Sequence, residues 1–149
     1  MITEFITESE NDTTRLATNI AHKLEAPAVL TLSGTLGAGK SVFARAVIRA
    51  LTGNEEEDVP SPTFTLVQGY DTAHGPLRHF DLYRLEAPED VLQLDWDDAM
   101  FDGISLIEWP DKAGQFLPDD RIDINLEIIT DQKRRITITP QGEALLNAV

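Results

Sequence analysis

The chain has 149 residues, no cysteine and a formal net charge of −14, from 26 acidic against 12 basic residues. That length suits one domain with a single good core and no appended substrate domain. The missing cysteine excludes disulfides, thiolate metal sites and a cysteine nucleophile, and the acidic balance argues against the basic footprint that autonomous nucleic-acid binding requires.

No apolar run approaches the ~20 residues of a membrane span. The N-terminal Met1-Ile2-Thr3-Glu4-Phe5 lacks the basic and apolar regions of a signal segment, so a cytoplasmic protein is expected.

Residues 1–7 alternate Ile2, Glu4 and Ile6 and predict an edge strand. Ser9 with Asp12 resembles a capping box before a helix. Leu16, Ile20 and Leu24, with Ala17 and Ala21, give that helix one apolar face, and Pro27 ends it. Ala28–Ser33 is a short apolar, β-branched run that reads as a buried strand.

Residues 34–41 then read Gly34-Thr35-Leu36-Gly37-Ala38-Gly39-Lys40-Ser41, the G-x-x-x-x-G-K-S pattern of a phosphate-binding loop. Val42–Leu51 follows with a helical pattern. Phe43, Val47 and Leu51 form its apolar face, Ala46 and Ala50 lie beside it, and Thr52-Gly53 supplies a stop. Strand, glycine loop and helix is the geometry this chemistry needs. Glycines let backbone N–H groups converge on phosphates, and the helix N-terminus adds its dipole. Lys40 is expected to reach the β- and γ-phosphates and the Ser41 hydroxyl to ligate Mg²⁺. Gly34, Leu36, Gly37, Ala38, Gly39, Lys40, Ser41 and Val42 are therefore the candidate nucleotide-binding residues.

Asn54–Asp58 is a solvated acidic loop. Residues 63–70 and 76–82 are strand-like, and Asp71–Pro76 between them predicts an antiparallel hairpin. Pro88 opens a short helix, Glu89 to Leu94. Gly103–Glu108 reads as a second buried strand, stopped by Pro110. Residues 121–129 and 135–139 alternate with period two around a turn at Asp131-Gln132. The basic run Lys133-Arg134-Arg135 is expected to decorate that turn rather than bind a phosphate backbone. Residues 141–148 are expected to end in a short helix. The order βαβα…ββ predicts one α/β domain over residues 1–149, a mixed sheet with flanking helices and antiparallel hairpins.

A phosphate loop alone binds nucleotide; hydrolysis needs a metal-organising carboxylate and a γ-phosphate sensor. Glu108 closes an apolar strand at its carboxyl end, where open α/β sheets place ligand groups. Asp81 lies in or just after a strand, within His79-Phe80-Asp81-Leu82-Tyr83-Arg84. For each acid the alternative is a solvated strand end. Thr63, in Ser61-Pro62-Thr63-Phe64, has two readings on spacing alone: a hydroxyl that senses Mg²⁺ or the γ-phosphate, or part of a Pro-rich turn entering a strand. His22, His74 and His79 lack metal-ligand spacing, and Trp109 by itself suggests packing.

Four motifs together carry a family resemblance. Gly37-Ala38-Gly39-Lys40-Ser41, Ser61-Pro62-Thr63-Phe64-Thr65-Leu66-Val67, His79-Phe80-Asp81-Leu82-Tyr83-Arg84-Leu85 and Ile107-Glu108-Trp109-Pro110 resemble, in order, the TsaE family, the ATPase of bacterial tRNA threonylcarbamoyladenosine biosynthesis. Thr13 and Leu16 also fit, so the resemblance spans essentially the whole chain. It implies a phosphate-loop NTPase fold, ATP and Mg²⁺ as cofactors, and work with a TsaB–TsaD assembly that transfers threonylcarbamoyl to adenosine 37 of tRNA. By the same resemblance Lys40, Ser41, Asp81 and Glu108 take phosphate, metal and catalytic positions, with Ser41, Asp81 and Glu108 the metal candidates. Thr63 matches a switch-like loop, Trp109 a Glu-Trp pair, and Thr13 joins the nucleotide-binding set. The family commonly has Asp where Thr35 stands and Thr-Thr where Ser41-Val42 stands, so here one charge is missing beside the phosphates.

Two other classes are compatible with a phosphate loop. A small-molecule kinase needs an acceptor pocket and an arginine-bearing lid, and Arg78, Arg84 and Arg121 are scattered. A non-catalytic, nucleotide-gated binding module needs Lys40 and Ser41 but not both carboxylates. A GTPase reading fails for want of an Asn-Lys-x-Asp-type guanine motif.

Overall fold

Seven strands form one sheet in the order β1-β7-β6-β2-β5-β4-β3 in the computed structural model, which describes residues 2–144. The elements run β1 (Thr3–Thr7), α1 (Glu10–His22), β2 (Ala28–Gly34), α2 (Lys40–Thr52), β3 (Val67–Thr72), β4 (Gly75–Asp81), α3 (Trp96–Phe101), β5 (Ile104–Glu108), β6 (Arg121–Ile128) and β7 (Arg134–Gln141). Short 3₁₀ segments cover Pro88–Leu94 and Pro110–Phe116. The centre of the sheet is parallel: β2 pairs with β5 and β6, and β5 with β4. Antiparallel β1, β7 and β3 complete it. This is the mixed α/β sheet with flanking helices and hairpins that the sequence predicts.

Two apolar clusters pack the two faces. On one, Ala17, Ile20 and Ala21 of α1 and Phe43, Val47, Ile48 and Leu51 of α2 cover Leu30, Leu32, Leu77, Leu106, Ile124 and Leu126. On the other, Phe80, Ile107 and Val29 meet Val91, Trp96, Ala99 and Met100. Trp96 lies edge-on to Phe80, with ring centroids 4.9 Å apart, and its indole N–H donates to the Phe116 carbonyl at 2.9 Å. β5 is buried along its whole length, which is why it reads as a continuous apolar run rather than an alternating one.

Local chemistry sets the ends. The Ser9 hydroxyl caps α1 by accepting from Asp12 N at 3.1 Å. The return bond differs from a capping box: Asp12 accepts from Glu8 N, one residue before the cap. α2 stops at Gly53, whose φ of 71° is a left-handed C-cap. At Gly103, φ is 71° and a Cβ would lie 1.8 Å from the Pro76 carbonyl oxygen, so only glycine lets β5 start so close to β4.

Several expected boundaries move. The first hairpin strand begins at Val67, not residue 63. Leu66 is left-handed (φ 70°) and its N–H donates to Pro62 O at 2.7 Å, so residues 62–66 close a turn before the strand starts. The hairpin link is tighter than Asp71–Pro76, since Asp71 pairs with Pro76 and Thr72 with Gly75. Glu89–Leu94 falls in a 3₁₀ segment, and α3 after it was not foreseen. α1 ends at His22, although Leu24 still enters the core. β7 runs through Gln141, and most of the expected helix at 141–148 lies outside the described residues.

Candidate functional site

Strand register builds the site. β2 and β5 place Leu32 beside Glu108, and β5 and β4 place Glu108 beside Asp81. The inward face of the sheet is apolar below, with Leu30, Leu32, Leu77 and Leu106 under α1 and α2. Two residues further along each strand the same face carries Gly34, His79 and Glu108, then Asp81 beyond His79. The carboxyl ends of three neighbouring strands thus gather the glycine loop and both acids at one edge, the usual ligand position in such sheets.

The loop leads from β2 into α2 through Gly39, whose φ of 105° serves as the N-cap. A Cβ on Gly34 would sit 2.5 Å from the Leu126 carbonyl oxygen, so this position must be glycine for β6 to approach. The opening N–H groups of α2, including those of Lys40, Ser41 and Val42, have no intrahelical acceptor, and the helix dipole places partial positive charge beside them. This donor set suits the oxygens of a phosphate chain.

In front of the loop lies a cleft of about 600 Å³ whose lining includes Leu36, Gly37, Lys40, Ser41, Ser61, Thr63, Asp81, Tyr83, Glu108 and Trp109. Lys40 is only 8% exposed. Its ammonium donates to Gly34 O at 2.8 Å and lies 4.0 Å from the centroid of the Trp109 ring. Trp109 is left-handed (φ 57°), which breaks β5 directly after Glu108. Tyr83 packs against its indole, centroids 4.9 Å apart.

The two carboxylates are held differently. Asp81 has both oxygens engaged: one accepts from the Thr63 hydroxyl at 3.1 Å, the other from Tyr83 N at 3.0 Å. Thr63 also shares a hydrogen bond with Ser61 at 2.7 Å. Thr63 therefore lines the cleft and also lies in a turn that precedes a strand. Glu108 keeps one oxygen, Oε2, against His79 Nε2 at 2.7 Å. Among the described residues no protein donor meets its other oxygen. Neither acid is a solvated strand end, each being 6% exposed.

Behind the loop lies a second hollow of about 500 Å³, lined by Ser9, Thr13, Gly37, Ala38, Gly39, Val42, Asp131 and Arg134, among others. Thr13 sits here, not in the acid-lined cleft, and its hydroxyl is bonded to that of Thr7 at 2.9 Å. Ala38 and Val42 also face this side. The basic run at 133–135 does lie at the β6–β7 turn, but decoration is not its whole role. Arg134 donates to Ala38 O at 3.1 Å and to Gly37 O at 3.2 Å, tying the turn to the glycine loop. Lys133 and Arg135 pair instead with Glu8, Glu4 and Glu127.

Sequence reasoning missed three residues of this site: His79, Tyr83 and Arg134. A signal existed for His79, which stands two positions before Asp81 on a strand and so shares its face. For Arg134 there was none, because its partners lie 96 and 97 positions away.

Among the described residues no cluster of three or more His, Asp or Glu side chains is placed to hold a metal ion. The donor set that is present, one hydroxyl and one or two carboxylates beside a phosphate seat, is the kind Mg²⁺ uses, since that ion keeps waters and takes substrate phosphates as ligands. No helix among the described residues is long and apolar enough to cross a membrane.

The sequence profile described as "Threonylcarbamoyl adenosine biosynthesis protein TsaE" matches residues 7–136. The chain belongs to the TsaE family. A relative from Aquifex aeolicus, a tRNA threonylcarbamoyladenosine biosynthesis protein TsaE, is 41% identical over 138 residues, covering 93% of this chain and 96% of that protein. One of the same name from Rickettsia bellii is 38% identical over 134 residues, covering 90% and 92%. Among solved structures, the crystal structure of YdiB from Bacillus subtilis superposes with a TM-score of 0.75 at 28% identity, covering 95% of this chain and 87% of that one. The P-loop NTPase fold expected from the TsaE resemblance is therefore the fold of this chain.

Proposed function

We propose that this TsaE-family chain is a Mg²⁺-dependent ATPase that supports a TsaB–TsaD assembly in threonylcarbamoylation of adenosine 37 of tRNA. One observation carries the chemical part: Glu108 keeps an unengaged carboxylate oxygen in the same cleft as Lys40 and Ser41. A binding module needs the lysine and the hydroxyl but tolerates the loss of an acid that orients an attacking water. Nucleotide specificity for ATP and the named partners rest on the family, whose curated members carry the tRNA threonylcarbamoyladenosine name.

In this reading the phosphates lie over the loop amides and Lys40, and the rest of the nucleotide reaches the hollow lined by Thr13 and Arg134. Ser41 and Glu108 would hold Mg²⁺, which would supply charge neutralisation on the phosphates. Asp81 is committed to the Ser61–Thr63 turn and to Tyr83 N, so its role is to fix the loop that faces the γ-phosphate. The unengaged oxygen of Glu108 would also orient the attacking water. Developing charge in the transition state meets Lys40 and the loop N–H groups, which are already in place and need no reorganisation.

The kinase alternative loses its arginines. Arg78 donates to Asp102 O, Arg121 to Asp123 and Pro118, and Arg84 stacks on Phe64. Leu36, which lines the cleft, is 91% exposed, and Phe64, the residue after the lining Thr63, is 81% exposed. Such exposed apolar side chains beside a γ-phosphate-facing loop suit a protein partner whose contact changes with the nucleotide.

The test is ATPase rate against added TsaB–TsaD, with tRNA alone as control. Stimulation by the protein pair and none by tRNA is expected, because a −14 domain repels a polyanion. Indifference to the pair, or stimulation by tRNA alone, rejects the partner assignment. Turnover that stays undetectable with the pair present rejects the ATPase assignment in favour of a gated binding module.

A further inference from the structure

We infer that His79 is a positioning residue for Glu108: its Nε2–H donates to Oε2 and holds the carboxylate so that its other oxygen points to the metal and water side of the cleft. The inference deepens the proposed ATPase mechanism and rests on the role given there to Glu108.

His79 Nε2 and Glu108 Oε2 are 2.7 Å apart, with side chains 3% and 7% exposed. A contact this short between two buried groups is a designed pairing, not a surface encounter. On the inward face, β4 reads Leu77, His79, Asp81 and β5 reads Ile104, Leu106, Glu108. His79 stands opposite Leu106 in the register. The position is therefore one row below the acids, at the height of the core. An aliphatic side chain would continue the core there; an imidazole adds one donor aimed upward, diagonally across the strands.

The second ring nitrogen sharpens the point. His79 Nδ1 is buried and has no hydrogen-bond partner. With the proton on Nε2, that nitrogen presents a lone pair, and an unpaired acceptor is the lesser cost. With the proton on Nδ1, the ring would bury an unpaired N–H and turn a lone pair toward a carboxylate. A proton on Nε2 is therefore the arrangement the surroundings favour, and from there the ring can only donate to Glu108. Glu108 has three rotatable side-chain bonds; fixing one oxygen removes most of that freedom before nucleotide arrives.

Three variants test this. His79→Leu keeps approximate volume and removes the donor. His79→Asn places its amide too near the backbone to reach. His79→Gln places an amide nitrogen near the Nε2 position. Thermal melting first identifies which are folded. In each, ATP affinity is measured by calorimetry with and without Mg²⁺, and ATPase kcat is measured alongside. Expected for Leu and Asn is metal-free ATP affinity within twofold of the parent, a Mg²⁺-dependent gain in affinity reduced about threefold or more, and kcat lowered about tenfold or more. His79→Gln is expected to recover most of both. ¹⁵N chemical shifts of His79 in the unmodified protein supply a measurement independent of any variant, expected to show Nε2 protonated.

A ring bare at Nε2 overturns the inference, as does a folded His79→Leu with the parent's Mg²⁺ dependence and kcat. Loss in Leu and Asn that Gln does not recover reduces His79 to core packing and also overturns it. Glu108→Gln runs in parallel. If that variant keeps parental turnover, the proposed mechanism itself fails; if it is crippled while His79→Leu is not, only the positioning role fails.

Discussion

Lys40 and Trp109 are in direct contact: the ammonium lies 4.0 Å from the centroid of the indole ring while donating to Gly34 O at 2.8 Å. A nearly buried cation is costly without partners, and these two supply a ring face and a carbonyl. In the proposed reading phosphate oxygens would outcompete both, and the loop holds a desolvated charge where phosphate would arrive. Lys40→Ala is expected to weaken nucleotide binding by about 2–3 kcal/mol, the scale of a hydrogen bond to a charged group. Calorimetry with ATP and Mg²⁺ measures it, and unchanged affinity in a folded variant rejects the phosphate-loop assignment.

The same contact gives an optical readout. If phosphate draws the Lys40 ammonium off the Trp109 ring, the indole environment changes. The chain's second tryptophan, Trp96, is fully buried within the apolar cluster against which Trp109 packs and makes no contact with Lys40, so the larger change is expected at Trp109. Nucleotide addition is expected to change tryptophan emission more in the parent protein than in Trp109→Phe. A response that survives in full in Trp109→Phe places the change elsewhere.

Asp81 and Glu108 separate in their expected effects because their oxygens are used differently. Glu108→Gln removes charge from the acid of the two that has an unengaged oxygen, so kcat is expected to fall about 10²-fold or more, the scale of a preorganised electrostatic group, with metal-free nucleotide affinity little changed and the Mg²⁺-dependent gain reduced. Asp81→Asn weakens the tie to Thr63 and Tyr83. It is expected to lower kcat as well and, in addition, to raise the protease sensitivity of the 61–66 segment. Single-turnover kinetics with limited proteolysis distinguishes the two, and parental turnover in both variants contradicts the assignment.

The legibility of this chain follows the range of the interactions. Gly34–Ser41, its flanking strand and its helix were readable because their signals lie within about two dozen consecutive residues and rest on period and glycine placement. β5 was readable as an unbroken apolar run. The start of β3 was not, because the left-handed Leu66 and its bond to Pro62 cut short a stretch whose composition favours a strand. α3 was hidden by its six residues and its acids, and Trp96 and Met100 reveal themselves as core only against Phe80 and Ile107. In the site, Glu108 and Asp81 could be nominated singly, but their adjacency depends on the β4–β5 register, which no local pattern encodes. Arg134 needed the whole sheet to be assembled.

Arg134 is expected to matter for nucleotide binding although it lies far along the chain from the loop motif. Its guanidinium donates to two loop carbonyls and to carbonyls of its own turn at Thr130 and Asp131. Arg134→Lys keeps the charge but cannot reproduce the planar fork. Both Arg134→Ala and Arg134→Lys are expected to weaken nucleotide affinity about tenfold, ~1.4 kcal/mol, by loosening Gly37 and Ala38. Calorimetry on both variants checks this. If Lys restores parental affinity, charge alone is responsible and the bracing geometry is irrelevant.

Tyr70 makes stability depend on alkaline pH. Its hydroxyl is buried without a hydrogen-bond partner, and its pKa is raised by burial first, then by the charges of Glu57 and Asp58 in the acidic loop. A raised value means the folded state keeps this proton after the unfolded chain has lost it. The resulting stability is fully present below the unfolded tyrosine pKa of about 10 and is lost as pH rises through the folded value. Tyr70→Phe removes both the unpaired hydroxyl and the titration. It is expected to equal or exceed the parent at neutral pH, by up to ~1 kcal/mol, and to lose less stability between about pH 9 and 11. Urea unfolding at those pH values measures the difference. An alkaline loss that parallels the parent's would assign the effect to other groups and would leave the buried Tyr70 hydroxyl without a role in it.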